Sequence, residues 1–182
     1  MPNTSGAALL ALEHYVTHSF GMDAFEEVLK YMRPDLAAPL RGILMPTAWY
    51  PTESFVTAIG AARRLYGKED FYELYGRAAA EYEIGVFFRL LARLTSPAYL
   101  LGRAGKVWRR FHDTGEWIME GHGNEVRAVL ADFGVVDAGY CQVLVGWIRR
   151  AGQLTGSKGG DVQHPQCRAR GAKACLFTGW WT

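Results

Sequence analysis

Cysteine is scarce in this chain, with three residues among 182, and an odd number cannot pair completely. That argues against a secreted disulfide framework and for an intracellular chain whose thiols are free or bound to metal. Charge of one sign is equally short. The formal net charge is +2 and the arginines are scattered, so nucleic acid is not expected as the main partner. No segment is long and apolar enough to span a bilayer. The opening MPNTSGAALLALEHYVTHSF lacks a basic n-region and its apolar run is broken by Glu13 and His14, unlike a signal peptide. A cytoplasmic location is expected. The sequence also lacks a GxSxG elbow, a Gly-rich phosphate loop and a dinucleotide fingerprint after a strand. The carboxylates Asp132 and Asp137 have no supporting context. Nothing proposes a nucleophile with its base, and no enzymatic activity is expected.

Aromatic and apolar residues are plentiful. Hydrophobic residues make up 49% and aromatic residues 13% of the chain, ample for a packed core and enough to line an apolar cavity as well. Apolar spacing predicts helices over Gly6 to Phe20 and about Asp23 to Met32, the second broken by Pro34. RGILMPTAWYPTESF reads as a connector, with Thr52 as N-cap of a helix from Glu53 to Tyr66. Asp70 to about Tyr82 forms another helix, resuming through VFFRLLARL to Pro97, and a further helix runs from Pro97 to Phe111. The aromatic stripes of these helices are, residue by residue, ordinary core positions.

After Asp113 the texture changes. Strands are expected at Glu116 to Gly121 and Glu125 to Phe133 around the His122-Gly123-Asn124 turn. Asp137 caps a helix ending near Gly156, TGSKGGD is a loop, and two strands follow at Val162 to Cys167 and Cys175 to Trp181. Residues 1–182 thus read as one α+β domain, with a mainly helical part (1–112) followed by a β-β-α-β-β antiparallel sheet part (113–182).

The three cysteines and one histidine form the constellation that carries chemistry. His164 and Cys167 flank the bend at Pro165, Cys175 starts the next strand, and Cys141 lies in the first turn of a helix, where the backbone N–H groups favour a thiolate. Three thiolates and an imidazole complete a tetrahedral zinc shell. Spacing alone leaves a second reading open, in which Cys141 is a small buried hydrophobe and His164 and Cys167 belong to a polar turn. His14 and His18 fall one turn apart without an evident third ligand, and read as surface or interface residues.

The Cys141, His164, Cys167, Cys175 spacing, with GAKACLF as turn and last strand, resembles the 4-vinyl-reductase domain, including its version in phenol-responsive bacterial activators. The resemblance is specific over Cys141 to Phe177. Upstream it rests on element order, with YPTESF and YGRAAAEY similar to related sensor families. It implies a structural zinc, held in those sensors by three cysteines and a glutamate whose place corresponds to His164 here. It also implies the fold shared by haem-nitric-oxide sensors and vesicle-tethering TRAPP subunits, with a ligand cavity between helices and sheet. His112 is a candidate proximal haem ligand, but the Tyr-x-Ser-x-Arg motif for the haem propionates is absent.

These readings combine into a small-molecule-binding sensory domain with a structural zinc at Cys141, His164, Cys167 and Cys175. Its expected ligand is apolar or aromatic, held by Trp108, Phe111, His112, Trp117, Met119, Phe133, Tyr140, Leu144 and Trp147. A homodimer and a separate signalling protein are the expected partners, without direct nucleic-acid binding. The rival readings are an interaction module without ligand, and a factor in bacteriochlorophyll vinyl reduction.

Overall fold

The computed structural model describes residues 1–67, 69–92, 104–154 and 159–180, without the side chains of 85–92 and 122. The N-terminal part is helical because its apolar residues recur at helical spacing. Helix α1 (Gly6–Phe20) buries Leu9, Leu12 and Val16 completely. Helices α2 (Ala24–Tyr31) and α4 (Thr52–Tyr66) follow the expected segments, with a short α3 (Pro34–Ala37) between them. Helix α5 (Phe71–Ala92) is continuous through the stretch expected to pause after Tyr82. Helix α6 covers Ala104–Phe111. The expected continuation of α5 to Pro97 and the start of α6 at Pro97 lie outside the described residues.

The connector differs from expectation. Strand β1 (Asn3–Ser5) pairs antiparallel with β2 (Trp49–Pro51). Thr52 is the first helical residue of α4 and not its cap. Its hydroxyl instead meets that of the wholly buried Thr4 at 2.9 Å. Three-residue strands carry too little alternation to stand out in sequence.

The second half is the β-β-α-β-β unit. Strands β3 (Glu116–His122) and β4 (Glu125–Ala131) form a hairpin turning at Gly123, whose φ of 58° suits glycine. Helix α7 (Ala138–Leu154) follows, then β5 (Asp161–Gln166) and β6 (Cys175–Trp180). The expected extensions to Gly156 and Trp181 fall outside the described residues. Strand order is β3-β4-β6-β5, each pair antiparallel. Trp117, Met119, Ala128, Leu130, Cys175 and Phe177 share the inner face by register, as the two-residue period of a half-covered sheet requires. On the other face Ile118 and Arg127 are exposed.

Helices α5 and α7 lie against each other at backbone contact. A Cβ on Gly76 would stand 2.0 Å from the Val143 carbonyl oxygen, and one on Gly146 would stand 2.2 Å from that of Glu73. Both positions therefore demand glycine. This close seam fixes which α5 residues face α7 further along, Glu83 among them. Arg149 of α7 pairs with Glu73 of α5 and Asp161 of β5, tying both neighbours to the helix.

Candidate functional site

A cavity of about 880 Å³ lies between the inner sheet face and helices α1, α5, α6 and α7. The sequence proposed nine residues for it. Trp108, Phe111, His112, Trp117, Met119, Tyr140, Leu144 and Trp147 all border this cavity. Phe133 does not. It sits behind Trp108 and against Tyr140, with ring centroids 5.1 and 5.5 Å away, and borders a separate small recess. Phe133 lies past the end of β4 at Ala131, beyond the strand expected to run to it, where it packs against residues of the cavity wall instead of lining it.

His112 ends the α6 segment in a buried hydrogen-bonded chain. Its Nδ1 is 3.0 Å from Thr4 Oγ1 and its Nε2 is 2.7 Å from the Tyr140 hydroxyl. Burial lowers its pKa to about 3, so the ring is neutral near pH 7. Burial likewise raises the Tyr140 hydroxyl well above its ordinary value. Trp108 closes over His112 at 4.1 Å between ring centroids, and its indole N–H donates to the Thr114 carbonyl at 2.7 Å.

Many wall residues escaped the sequence reading, among them Tyr75, which it placed in a core stripe, and Glu83, which it passed over. Glu83 lies deep in the molecule but is not enclosed, since one side of it is cavity wall. Trp147 Nε1 donates to its Oε2 at 2.8 Å. Desolvation by burial raises the carboxyl to about pKa 8, against the opposing pull of the Trp147 hydrogen bond. The signal was available in GRAAAEYE: Glu83 falls seven residues after Gly76 and four after Ala79, on the small-residue face of the helix.

The second constellation lies where α7 meets β5 and β6. The donor atoms of Cys141, His164, Cys167 and Cys175 all fall within 4.8 Å of one another. Cys141 Sγ is 3.6 Å from Cys175 Sγ and 3.8 Å from Cys167 Sγ. Asp137 caps α7 by accepting from the Tyr140 N–H at 2.7 Å, which positions Cys141 in the first turn. The register of β5 against β6 shifts between Gln163 and Gln166, around Pro165, which has no N–H to give the ladder. That irregularity accompanies His164 stacked on Phe177, 4.5 Å between ring centroids. Both imidazole nitrogens are buried without a hydrogen-bond partner, although His164 as a whole is only half-buried.

The electrostatics of this cluster keep its thiols from ionising together. Burial, followed by the facing thiols of Cys175 and Cys167, pushes the Cys141 thiol far up. Burial also opposes ionisation of Cys167, but backbone and side-chain hydrogen bonds, from Ala169 first, carry it below the ordinary thiol value. Three thiols this close cannot all ionise unless a cation joins them. The donor set fits a thiolate- and imidazole-bound metal ion.

No protein-family model matches the chain, and no curated protein matches it in sequence. Solved structures do match in shape. An H-NOX protein from Shewanella oneidensis in its Fe(II)NO state has a TM-score of 0.71 at 16% identity, covering 98% of this chain and 99% of that one. The H-NOX domain from the same organism in its Fe(II)CO state gives 0.73 at 15%, covering 98% of each chain. The Fe(II) unliganded H-NOX protein from K. algicida gives 0.70 at 10%, covering 98% and 96%. At such identities the likeness establishes the fold, and it agrees with the α+β architecture expected from the sequence.

The cofactor expectation is corrected. The matching proteins are named for iron, in Fe(II) states, and zinc appears in none of these names. Donor spacing identifies soft ligands, which several transition metals accept, and so could not single out zinc. Zinc is not carried forward. Nor does a haem fit the described cavity wall. His112 is the histidine that borders the cavity, and both its ring nitrogens are already engaged by Thr4 and Tyr140. An iron ligand there would have to break one of these buried bonds.

Proposed function

We propose that this chain is a small-molecule-binding sensory domain of the kind implied by its resemblance to 4-vinyl-reductase domains. Its ligand is an apolar or aromatic molecule held in the cavity between sheet and helices, and its response passes to a separate signalling protein, with a second copy of the chain as dimer partner. The observation that carries this reading is the cavity itself: about 880 Å³ falls within the range of ligand pockets, and its wall mixes Trp108, Trp117 and Trp147 with the polar tips of His112, Tyr140 and Glu83. Aromatic walls supply apolar area, and a few polar tips orient what binds.

In this reading the four-donor cluster of Cys141, His164, Cys167 and Cys175 is a metal site that fastens the start of α7 to β5 and β6. Four protein ligands leave no open position for substrate, so its part is structural.

The test is to purify the protein gently, denature it and identify any released small molecule by mass spectrometry, then titrate the emptied protein while following tryptophan fluorescence. Saturable quenching by phenols or indoles, weakened in Trp117→Leu, is expected. A protein that releases nothing and responds to none of these compounds overturns the reading.

A further inference from the structure

We infer that the cavity takes a molecule joining an apolar or aromatic body to a protonated nitrogen, an ammonium or amidinium, and that Glu83 receives this nitrogen. The inference rests on the cavity reading above and adds the ligand's polar end to it.

The position of the carboxyl is imposed by the backbone. Gly76 and Gly146 bring α5 and α7 into contact, and two turns beyond Gly76 the same α5 face places Glu83 opposite Trp147. One carboxyl oxygen accepts from the indole N–H at 2.8 Å. The other has no partner among the described residues, and the side chain borders the cavity. That oxygen is not among the buried unpartnered atoms, so it is open to the cavity, where an arriving donor can reach it.

Among the described residues, the two arginines of α7 are committed elsewhere. Arg149 is held by Glu73, Asp161 and the Val162 carbonyl, and Arg150 by Glu81 and Gln153. Arg110 borders the cavity but is exposed. Among the described residues no cation pairs with Glu83.

The groups electrostatically coupled to Glu83 are Tyr75 from α5 and Tyr140 from α7, both held protonated by burial. Trp147 adds an indole from α7, and His112 from α6 is neutral. None of them supplies positive charge, while the aromatic faces favour a cation among them. With its pKa near 8 the free carboxyl holds a proton at pH 7. An arriving ammonium exchanges for that proton and leaves a charge-assisted pair. A ligand carboxylate has nothing to bind there, and a hydroxyl offers a neutral hydrogen bond only.

Three probes of one shape separate these cases: phenethylamine, phenethyl alcohol and phenylacetate, titrated at pH 7 by tryptophan fluorescence and by calorimetry in buffers of different ionisation enthalpy. The amine is expected to bind about tenfold or more tightly than the alcohol, with phenylacetate weakest. Amine binding should also release close to one proton. In Glu83→Gln the amine-to-alcohol affinity ratio should fall to near one and proton release should vanish. If that variant does not fold, the ratio and proton release of the unaltered protein decide the matter alone. An alcohol that binds as tightly as the amine, or a ratio unchanged in Glu83→Gln, overturns the inference and leaves the cavity reading standing. Failure of all three probes to bind overturns the inference, and the phenol and indole titrations then decide the cavity reading.

Discussion

Replacing Gly146 with alanine tests the seam on which the cavity's geometry depends. The new Cβ would lie 2.2 Å from the Glu73 carbonyl oxygen and 3.0 Å from its carbonyl carbon and Cα. All three atoms are backbone, so no side-chain rotation relieves the clash, and α5 must move by about 1 Å to restore ordinary contact. Overpacking of this kind costs about 1–3 kcal/mol. Alanine's better helix propensity returns about 1 kcal/mol. Because both partners are main chain the cost belongs at the upper end, leaving a net loss of about 1–2 kcal/mol. For a chain of this size that is a fall in Tm of about 2–8 °C. Gly60 of α4 provides the control, since a Cβ there meets nothing within 4 Å. Gly60→Ala keeps the propensity gain without the clash and should raise Tm by about 2–4 °C. Opposite signs from one chemical change, read by calorimetry or circular dichroism, are the expected result. If Gly146→Ala is as stabilising as Gly60→Ala, the helices do not touch there, and the placement of Glu83 opposite Trp147 fails with them.

Stability should form a dome in pH. Glu83, raised in the fold from 4.5 to about 8, loses stability as pH climbs through that interval, whereas His112, lowered from 6.5 to about 3, loses it as pH falls through its own. The two slopes, each roughly 1.4 kcal/mol per pH unit, oppose between 4.5 and 6.5 and act alone outside. Glu83→Gln should therefore remove the alkaline decline seen in urea titrations up to pH 8, and a decline that persists in the variant refutes this assignment. Asp137→Ala should cost about 1 kcal/mol by removing the cap of α7, with urea midpoints as the measure. Cys167→Ser should lower Tm and abolish any further loss on adding chelator, because a structural metal contributes directly to folding; an equal chelator effect in parent and variant places the metal elsewhere.

What the sequence made legible was local. Helix α1 could be bounded because Leu9, Leu12 and Val16 sit at helical spacing, and α7 because Asp137 precedes it as a cap. The β3–β4 hairpin followed from the Gly123 turn and the alternation of Trp117 and Met119. The four soft donors were also legible, since His164 and Cys167 share one bend and Cys175 opens the next strand. Which ion such a set would hold was not, because thiolate and imidazole donors bind several metals and spacing carries no further selection.

What stayed hidden depends on pairings between distant parts of the chain. Strand β1 exists because Asn3–Ser5 finds Trp49–Pro51, more than forty residues away, and neither run is long enough to announce itself. His112 could be marked as a polar tip, yet its neutral state follows from Thr4 and Tyr140, 108 and 28 residues distant, occupying both nitrogens. Glu83 shows the same limit in its sharpest form. On a helical wheel an acidic residue beside alanines reads as the edge of a solvent-facing stripe. The backbone contact at Gly76 and Gly146 turns that edge inward, and the cavity leaves its carboxyl without a second partner among the described residues. A charge on a small-residue face, spaced whole turns from a glycine, is thus a candidate for an inward-facing position whenever a second helix offers a matching glycine.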